Sequence, residues 1–240
     1  MVISMKEIIK KYIPQGTLNL YGVVKRNLKK KIYPPAPDEV VHFDLKTIYN
    51  GHFNVMYRGI PMLRVPFDYV MYQMIICAVE PDLVIEIGTN FGGTTLYLAD
   101  LMDTLGHGAI HSIDINSNAP ELVRNHPRIK LFGNGWEGYD IREAAGFKKI
   151  LIIDDASHMY EDVLGALEKF SPLVSPDSYY IVEDGIVNEV GLEEQYHGGP
   201  LRAIREFLPT HPEFKTDRSY CDFFGVNATW NVNGYLKKHA

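Results

Sequence analysis

Two apolar runs in this sequence end in paired acids. Ile150-Leu151-Ile152-Ile153 leads into Asp154-Asp155, and Tyr179-Tyr180-Ile181-Val182 leads into Glu183-Asp184. Such runs read as buried strands. If the two strands are neighbours, three or four carboxylates stand side by side and repel one another unless a cation lies between them. Oxygen donors favour Mg2+, Mn2+ or Ca2+ over zinc or copper. His158 follows Asp155 by three residues, in the first turn of an expected helix. There an imidazole serves as a metal ligand, as a general base with an unperturbed pKa near 6.5, or as a plain surface group. The bland alternative for the acids is that Asp155 or Ser157 caps that helix and the others are solvated.

A second chemical signal is Val84-Ile-Glu-Ile-Gly-Thr-Asn-Phe-Gly-Gly-Thr-Thr95. It reads as strand, glycine turn and helix, a loop whose backbone can approach a ligand closely because Cβ atoms are missing. Gly88, Gly92 and Gly93 give G-x-x-x-G-G, not the G-x-G-x-x-G of dinucleotide folds. Glu86 would repel a pyrophosphate and welcome a cationic ligand. That points to S-adenosylmethionine (SAM), which carries an ammonium and a sulfonium, with Thr89 and Asn90 in the same turn. The next strand ends in Asp114, at the spacing where a ribose-binding carboxylate belongs. The third ends in Phe132-Gly133-Asn134-Gly135-Trp136. An Asn134 amide oxygen can accept from an adenine amino group and Trp136 can pack on the ring, while Asn-Gly is equally plain turn chemistry.

The elements that must position these residues alternate. Strands are predicted at Leu83–Ile87, Ala109–Ile115, Ile129–Phe132, Ile150–Asp155 and Tyr179–Asp184. Helices are predicted at 67–79, 94–102, 118–124, 139–145, 159–170 and 200–208. The pattern is a doubly wound, mostly parallel α/β sheet, with ligands beyond the carboxyl ends of its strands. Phe214–Phe224 and Thr229–Leu236 read as an antiparallel hairpin closing one edge. Residues 1–50 read as an N-terminal extension and 51–240 as the main domain. The extension carries a short apolar face (Met5, Ile8, Ile9, Tyr12), the basic run Lys25–Lys31 and a proline-rich connector over 32–38. We read the basic run as a solvated arm that packs on the domain or on a neighbouring subunit of a homo-oligomer.

Composition narrows the classes. The 240 residues are 46% hydrophobic and 22% charged, with net charge −6, which argues against a nucleic-acid surface. Two cysteines, Cys77 and Cys221, are too few for a disulfide scaffold or a Cys-rich zinc site. Neither a signal-peptide core nor an apolar run of membrane-spanning length is apparent, so a cytoplasmic protein is the expectation.

The combination Tyr57-Arg58-Gly59-Ile60-Pro61, Pro66-Phe67-Asp68, Tyr72-Gln73, Pro81, Glu86-Ile87-Gly88-Thr89, Gly92-Gly93, Ile153-Asp154-Asp155-Ala156, His158, Glu183-Asp184 and Asn233-Gly234-Tyr235-Leu236 resembles the cephalosporin hydroxylase/rhamnosyl O-methyltransferase family over about residues 55–238. The resemblance implies a class I SAM-dependent methyltransferase fold with a seven-stranded sheet. It implies a divalent metal, usually magnesium, on the residues matching Asp155, Glu183 and Asp184, and His158 as base. It also implies a sugar hydroxyl as acceptor. Asn134 stands where many relatives have an acid. The expected function is metal-dependent O-methyl transfer to a carbohydrate or other small molecule. Tyr57, Arg58, Tyr196, His197 and Gly198-Gly199-Pro200 are acceptor-side candidates. The rivals are an iron-dependent hydroxylase, which should show two histidines and one carboxylate, and a non-catalytic SAM-binding protein.

Overall fold

The structure, a computed structural model, describes Val41 and residues 43–240. The predicted features of residues 5–12, 25–31 and 32–38 lie outside the described residues. The chain divides between Asn54 and Val55. Before the division, helix α1 (Leu45–His52) begins with a capping box. The Asp44 carboxylate accepts the Thr47 N–H at 2.8 Å, and the Thr47 hydroxyl accepts the Asp44 N–H at 3.1 Å.

After the division, β1 (Met56–Tyr57) and β2 (Ile60–Pro61) form a small hairpin. Its turn residues, Arg58 and Gly59, both have positive φ, as a two-residue hairpin turn of type I′ requires. Helix α2 (Pro66–Val79) follows, with proline at its first position. Then β3 (Leu83–Ile87), α3 (Gly93–Leu105), β4 (Ala109–Ile113), β5 (Ile129–Phe132), β6 (Ile150–Asp154), α4 (Tyr160–Phe170) and β7 (Tyr179–Val182) build the parallel part. Helix α5 (Gly199–Phe207), β8 (Phe214–Thr216) and β9 (Tyr235–Lys238) complete the molecule. Seven strands form one sheet in the order β5-β4-β3-β6-β7-β9-β8, and β9 runs antiparallel to both neighbours.

Strand alternation divides the core into two layers. Leu83, Ile85, Ile87, Ile150, Ile152, Tyr180 and Val182 face Val163, Leu167 and Phe170 of α4 and Ile204 and Phe207 of α5. Val84, Ile110, Leu151, Ile153 and Ile181 face Met71, Ile75 and Val79 of α2 and Leu98 and Met102 of α3. Every residue of β3, β6 and β7 is buried, so these strands read as near-continuous apolar runs, interrupted by Glu86 in β3 and closed by Asp154 in β6.

The structure differs from the sequence reading at several edges. The hairpin is present, but its strands are three and four residues long. Asp217 caps a short helix, Arg218–Cys221, where the aromatic run had read as strand. The helix expected over 118–124 is only Glu121–Arg124, and that over 139–145 is a 3-10 turn, Ile141–Ala144. The N-cap of α4 is Met159, without a side-chain bond, so neither Ser157 nor Asp155 caps it. Ser157 instead accepts the Met159 N–H and donates to Asp162.

Candidate active site at the carboxyl edge of the sheet

Strand register assembles the site. Ile87 pairs with Ile113 on one side and Asp154 on the other; Asp154 pairs with Val182, and Ile113 with Phe132. The next residue of each strand therefore falls in one row, Gly133, Asp114, Gly88, Asp155 and Glu183. Backbone bonds carry the ladder through this row, from Gly88 N–H to Ile113, from Asp155 N–H to Ile87 and from Glu183 N–H to Asp154. Gly88 has φ +108, and a Cβ there would lie 2.1 Å from the Asp155 carbonyl oxygen. Only glycine lets the loop after β3 lie against the loop after β6.

The glycine turn rests on a buried polar chain. Glu86 is fully buried and faces α3; its Oε2 accepts from Thr95 at 2.5 Å and from Ser112 at 2.6 Å, and its Oε1 is buried with no hydrogen-bond partner. Burial raises its pKa to about 7, against the opposing bonds from Ser112 and Thr95. The Thr89 hydroxyl is bonded to that of Ser112 at 2.6 Å. Asp114 accepts the Asn90 N–H at 2.7 Å and the Asn116 N–H at 2.9 Å, so it also shapes the turn. Gly92 is the N-cap of α3 with φ +81, and a Cβ there would press on Val123 and Ala119. Gly93 packs against the Pro61 backbone. Asn134 anchors its amide nitrogen on the Gly138 carbonyl at 2.5 Å. Trp136 is half-buried with its ring over Gly165 of α4, a packing role in the core.

At the other end of the row, Asp155, His158 and Asp184 place ligand atoms within 4.8 Å of one another. His158 Nε2 is 3.0 Å from Asp184 Oδ2 and 4.0 Å from Asp155 Oδ1, and these side chains are 18–26% exposed. His158 is not in the first helical turn. It precedes α4 in the loop, with φ +59, and that left-handed bend turns its ring to the acids. Burial disfavours the charged imidazole, but Asp184 and Asp155 outweigh it and raise the pKa to about 9. Burial also pushes the Asp155 and Glu183 carboxyls upward, against the pull of Arg64.

Glu183 lies beside this cluster, with its two oxygens on Arg64 and Tyr72. Arg64 also pairs with Asp155 at 3.0 Å. The sequence reading missed Arg64. Its signal was a lone charge inside the apolar run Ile60-Pro61-Met62-Leu63-Arg64-Val65-Pro66-Phe67, a setting that demands buried partners. A second group, Asp100, Asp103 and His126, is already neutralised by Arg58 on Asp100 and Arg128 on Asp103. With Glu183 beside it, the Asp155 group sets three acids against one arginine and one histidine. Its carboxylate oxygens at close range suit a hard divalent cation, and the imidazole beside them is not a donor such a cation prefers. Neither group contains two histidines among the described residues, so the iron-oxygenase triad is not formed.

The acceptor-side candidates separate. Tyr57 and Arg58 both bind Asp100 of α3, at 2.7 Å and 3.0–3.1 Å. Tyr196 meets His158 edge-on at 5.9 Å between ring centroids. His197 bonds to Glu161 at 2.9 Å. Gly199, at the start of α5 with Pro200, packs close to Val187 and the His158 backbone, and Gly198 is its N-cap.

The comparisons with known proteins agree with this geometry. The family model for rhamnosyl O-methyltransferase/CmcI matches residues 49–239. The chain is 29% identical to the rhamnosyl O-methyltransferase of Mycobacterium leprae (strain TN) over 199 residues, 78% of this chain and 86% of that protein. Its identity to the protein of the same name from Mycobacterium tuberculosis (strain ATCC 25618 / H37Rv) is 26% over 225 residues, 83% and 86% of the two chains. A structure of CmcI with magnesium and SAM shares the fold, with TM-score 0.60 at 18% identity over 87% of this chain and 90% of that one. No helix among the described residues is long and apolar enough to cross a membrane. The chain belongs to the rhamnosyl O-methyltransferase/CmcI family and is a SAM-dependent O-methyltransferase.

Proposed function

We propose that this enzyme methylates a hydroxyl of a rhamnosyl or related sugar, with SAM as donor and a divalent cation, magnesium first, at the acidic end of the row. The supporting observation is the row itself, which sets a glycine turn and a cluster of carboxylates on adjacent strand ends. When bound, SAM supplies an activated methyl group, and the cation supplies positive charge that orients and acidifies the acceptor hydroxyl. The Gly88–Gly93 turn, with Thr89 and Asn90, would hold the methionine part, and Glu86, whose Oε1 is buried without a hydrogen-bond partner, would offset its ammonium. Asp114 would hold the ribose, and Asn134, with the edge of Trp136 left outside its packing on Gly165, would border the adenine. Asp155, Glu183 and Asp184 would hold the cation. His158 Nε2 would receive the proton that the hydroxyl loses, and Tyr196 stands beside it to border the sugar. We assign residues 51–240 to this methyltransferase domain and 1–50 to an extension, and we place the enzyme in the cytoplasm, where SAM is made.

Calorimetry tests the cofactor half of this reading with S-adenosylhomocysteine (SAH) as the probe. Asp114→Ala is expected to weaken SAH binding by about 1.5–3 kcal/mol, the scale of hydrogen bonds to a charged group. Unchanged affinity in the folded variant would move the ribose elsewhere.

A further inference from the structure

Arg64 is the one arginine or lysine that is buried among the described residues, with its side chain 3% exposed. It stands on the short link between β2 and α2, and this link leans on the glycine turn. A Cβ on Gly93 would lie 2.4 Å from the Pro61 carbonyl oxygen. From there the guanidinium spans four elements. Nη1 donates to Glu183 Oε2 and to the Tyr72 hydroxyl at 3.0 Å; Nη2 donates to Asp155 Oδ2 at 3.0 Å and to the Thr94 hydroxyl at 3.3 Å. Tyr72 in turn donates to Glu183 Oε1. Glu183 is thus fixed at both oxygens and Asp155 at one, which leaves Asp155 Oδ1 turned toward His158.

We infer that Arg64 is a positioning residue of the cation centre. It fixes Asp155 and Glu183 in the geometry that receives a divalent cation and ties them to the first turn of α3. The inference rests on the cation reading of the acidic cluster. It has a definite sign. As a bare positive charge, Arg64 opposes a cation, and its removal would tighten cation binding. As a positioning group it supports the carboxylates, and its removal weakens binding, as loss of an outer partner of a metal ligand does.

The test is Mn2+ binding, read from the loss of the free-ion electron paramagnetic resonance signal, on folded wild type, Arg64→Met, Arg64→Lys and Tyr72→Phe. Arg64→Met is expected to bind Mn2+ about 10–100-fold more weakly. Arg64→Lys, a point charge without the planar fork, should recover only part of the loss. Tyr72→Phe leaves the charge balance intact and should weaken binding several-fold. Arg64→Met binding as tightly as wild type, or more tightly, overturns the inference. Should Arg64→Met fail to fold, wild-type affinity in both Arg64→Lys and Tyr72→Phe overturns it. A lower melting temperature with unchanged Mn2+ affinity marks a purely structural role and also overturns it. Wild type that binds no Mn2+ would remove the cation reading and this inference together. Binding that Asp184→Asn abolishes upholds that reading whatever the Arg64 variants do.

Discussion

His158 joins the catalytic reading to the acidic cluster through one bend of backbone. Its positive φ, a conformation that costs about 1–3 kcal/mol in a residue with a side chain, directs Nε2 at Asp184 from the loop before α4. The pKa of about 9 shows how strongly the two carboxylates hold a proton on the ring. A cation on Asp155 and Asp184 would offset that hold and let the imidazole serve as base near neutrality. His158→Ala is therefore expected to lower kcat by a factor on the order of 10²–10⁴, with metal content near that of wild type. Steady-state kinetics beside metal analysis checks this. A variant that loses its metal makes His158 a ligand, and one that keeps its rate assigns the proton to another group.

At the scale of elements, the parallel strands were legible because each carries β-branched or aromatic residues and is ended by Gly, Asp or Glu. The acids at 154–155 and 183–184 were legible as strand ends, and the pairing of β6 with β7 makes them neighbours. The overlong C-terminal strands have a local cause. Tyr220, Phe223 and Phe224 have strand propensity, yet Asp217 accepts the Ser219 N–H at 2.9 Å and Asp222 the Asn227 N–H at 2.9 Å, which fold the stretch into a helical turn and a loop. Helix α4 was legible, but the loop that bends before it was not, so His158 was assigned to its first turn. Arg64 was hidden for a different reason. Its partners lie on α2, on α3 and just after β6 and β7, up to 119 residues away in sequence, and no local pattern points to them.

The whole molecule carries the electrostatic cost of its site as a pH dependence. Glu86 is fully buried, and burial lifts its pKa from 4.5 to about 7. Between these values the folded protein holds a proton that the unfolded chain has released, so stability falls as pH rises through this window and levels off above it. The shift corresponds to about 3 kcal/mol at most. Asp154, buried and raised to about 7, acts with the same sign. Glu86→Gln, which removes the ionisation, is expected to be more stable than wild type at pH 8, with the gain shrinking toward pH 5. Denaturant unfolding at both pH values, without SAM or metal, measures this, and parallel pH curves for the two proteins would refute it. The central claim is that the glycine turn and the acidic cluster work as one cation-dependent methyl-transfer site. Its most direct measurement follows labelled methyl from SAM into a panel of rhamnosides, with Mg2+ and after chelation by EDTA, alongside Asp184→Asn. The expected result is transfer that stops on chelation, returns with added Mg2+ and is lost in Asp184→Asn. Full transfer after exhaustive chelation would contradict the account, as would oxygen consumption on iron loading with no methyl transfer.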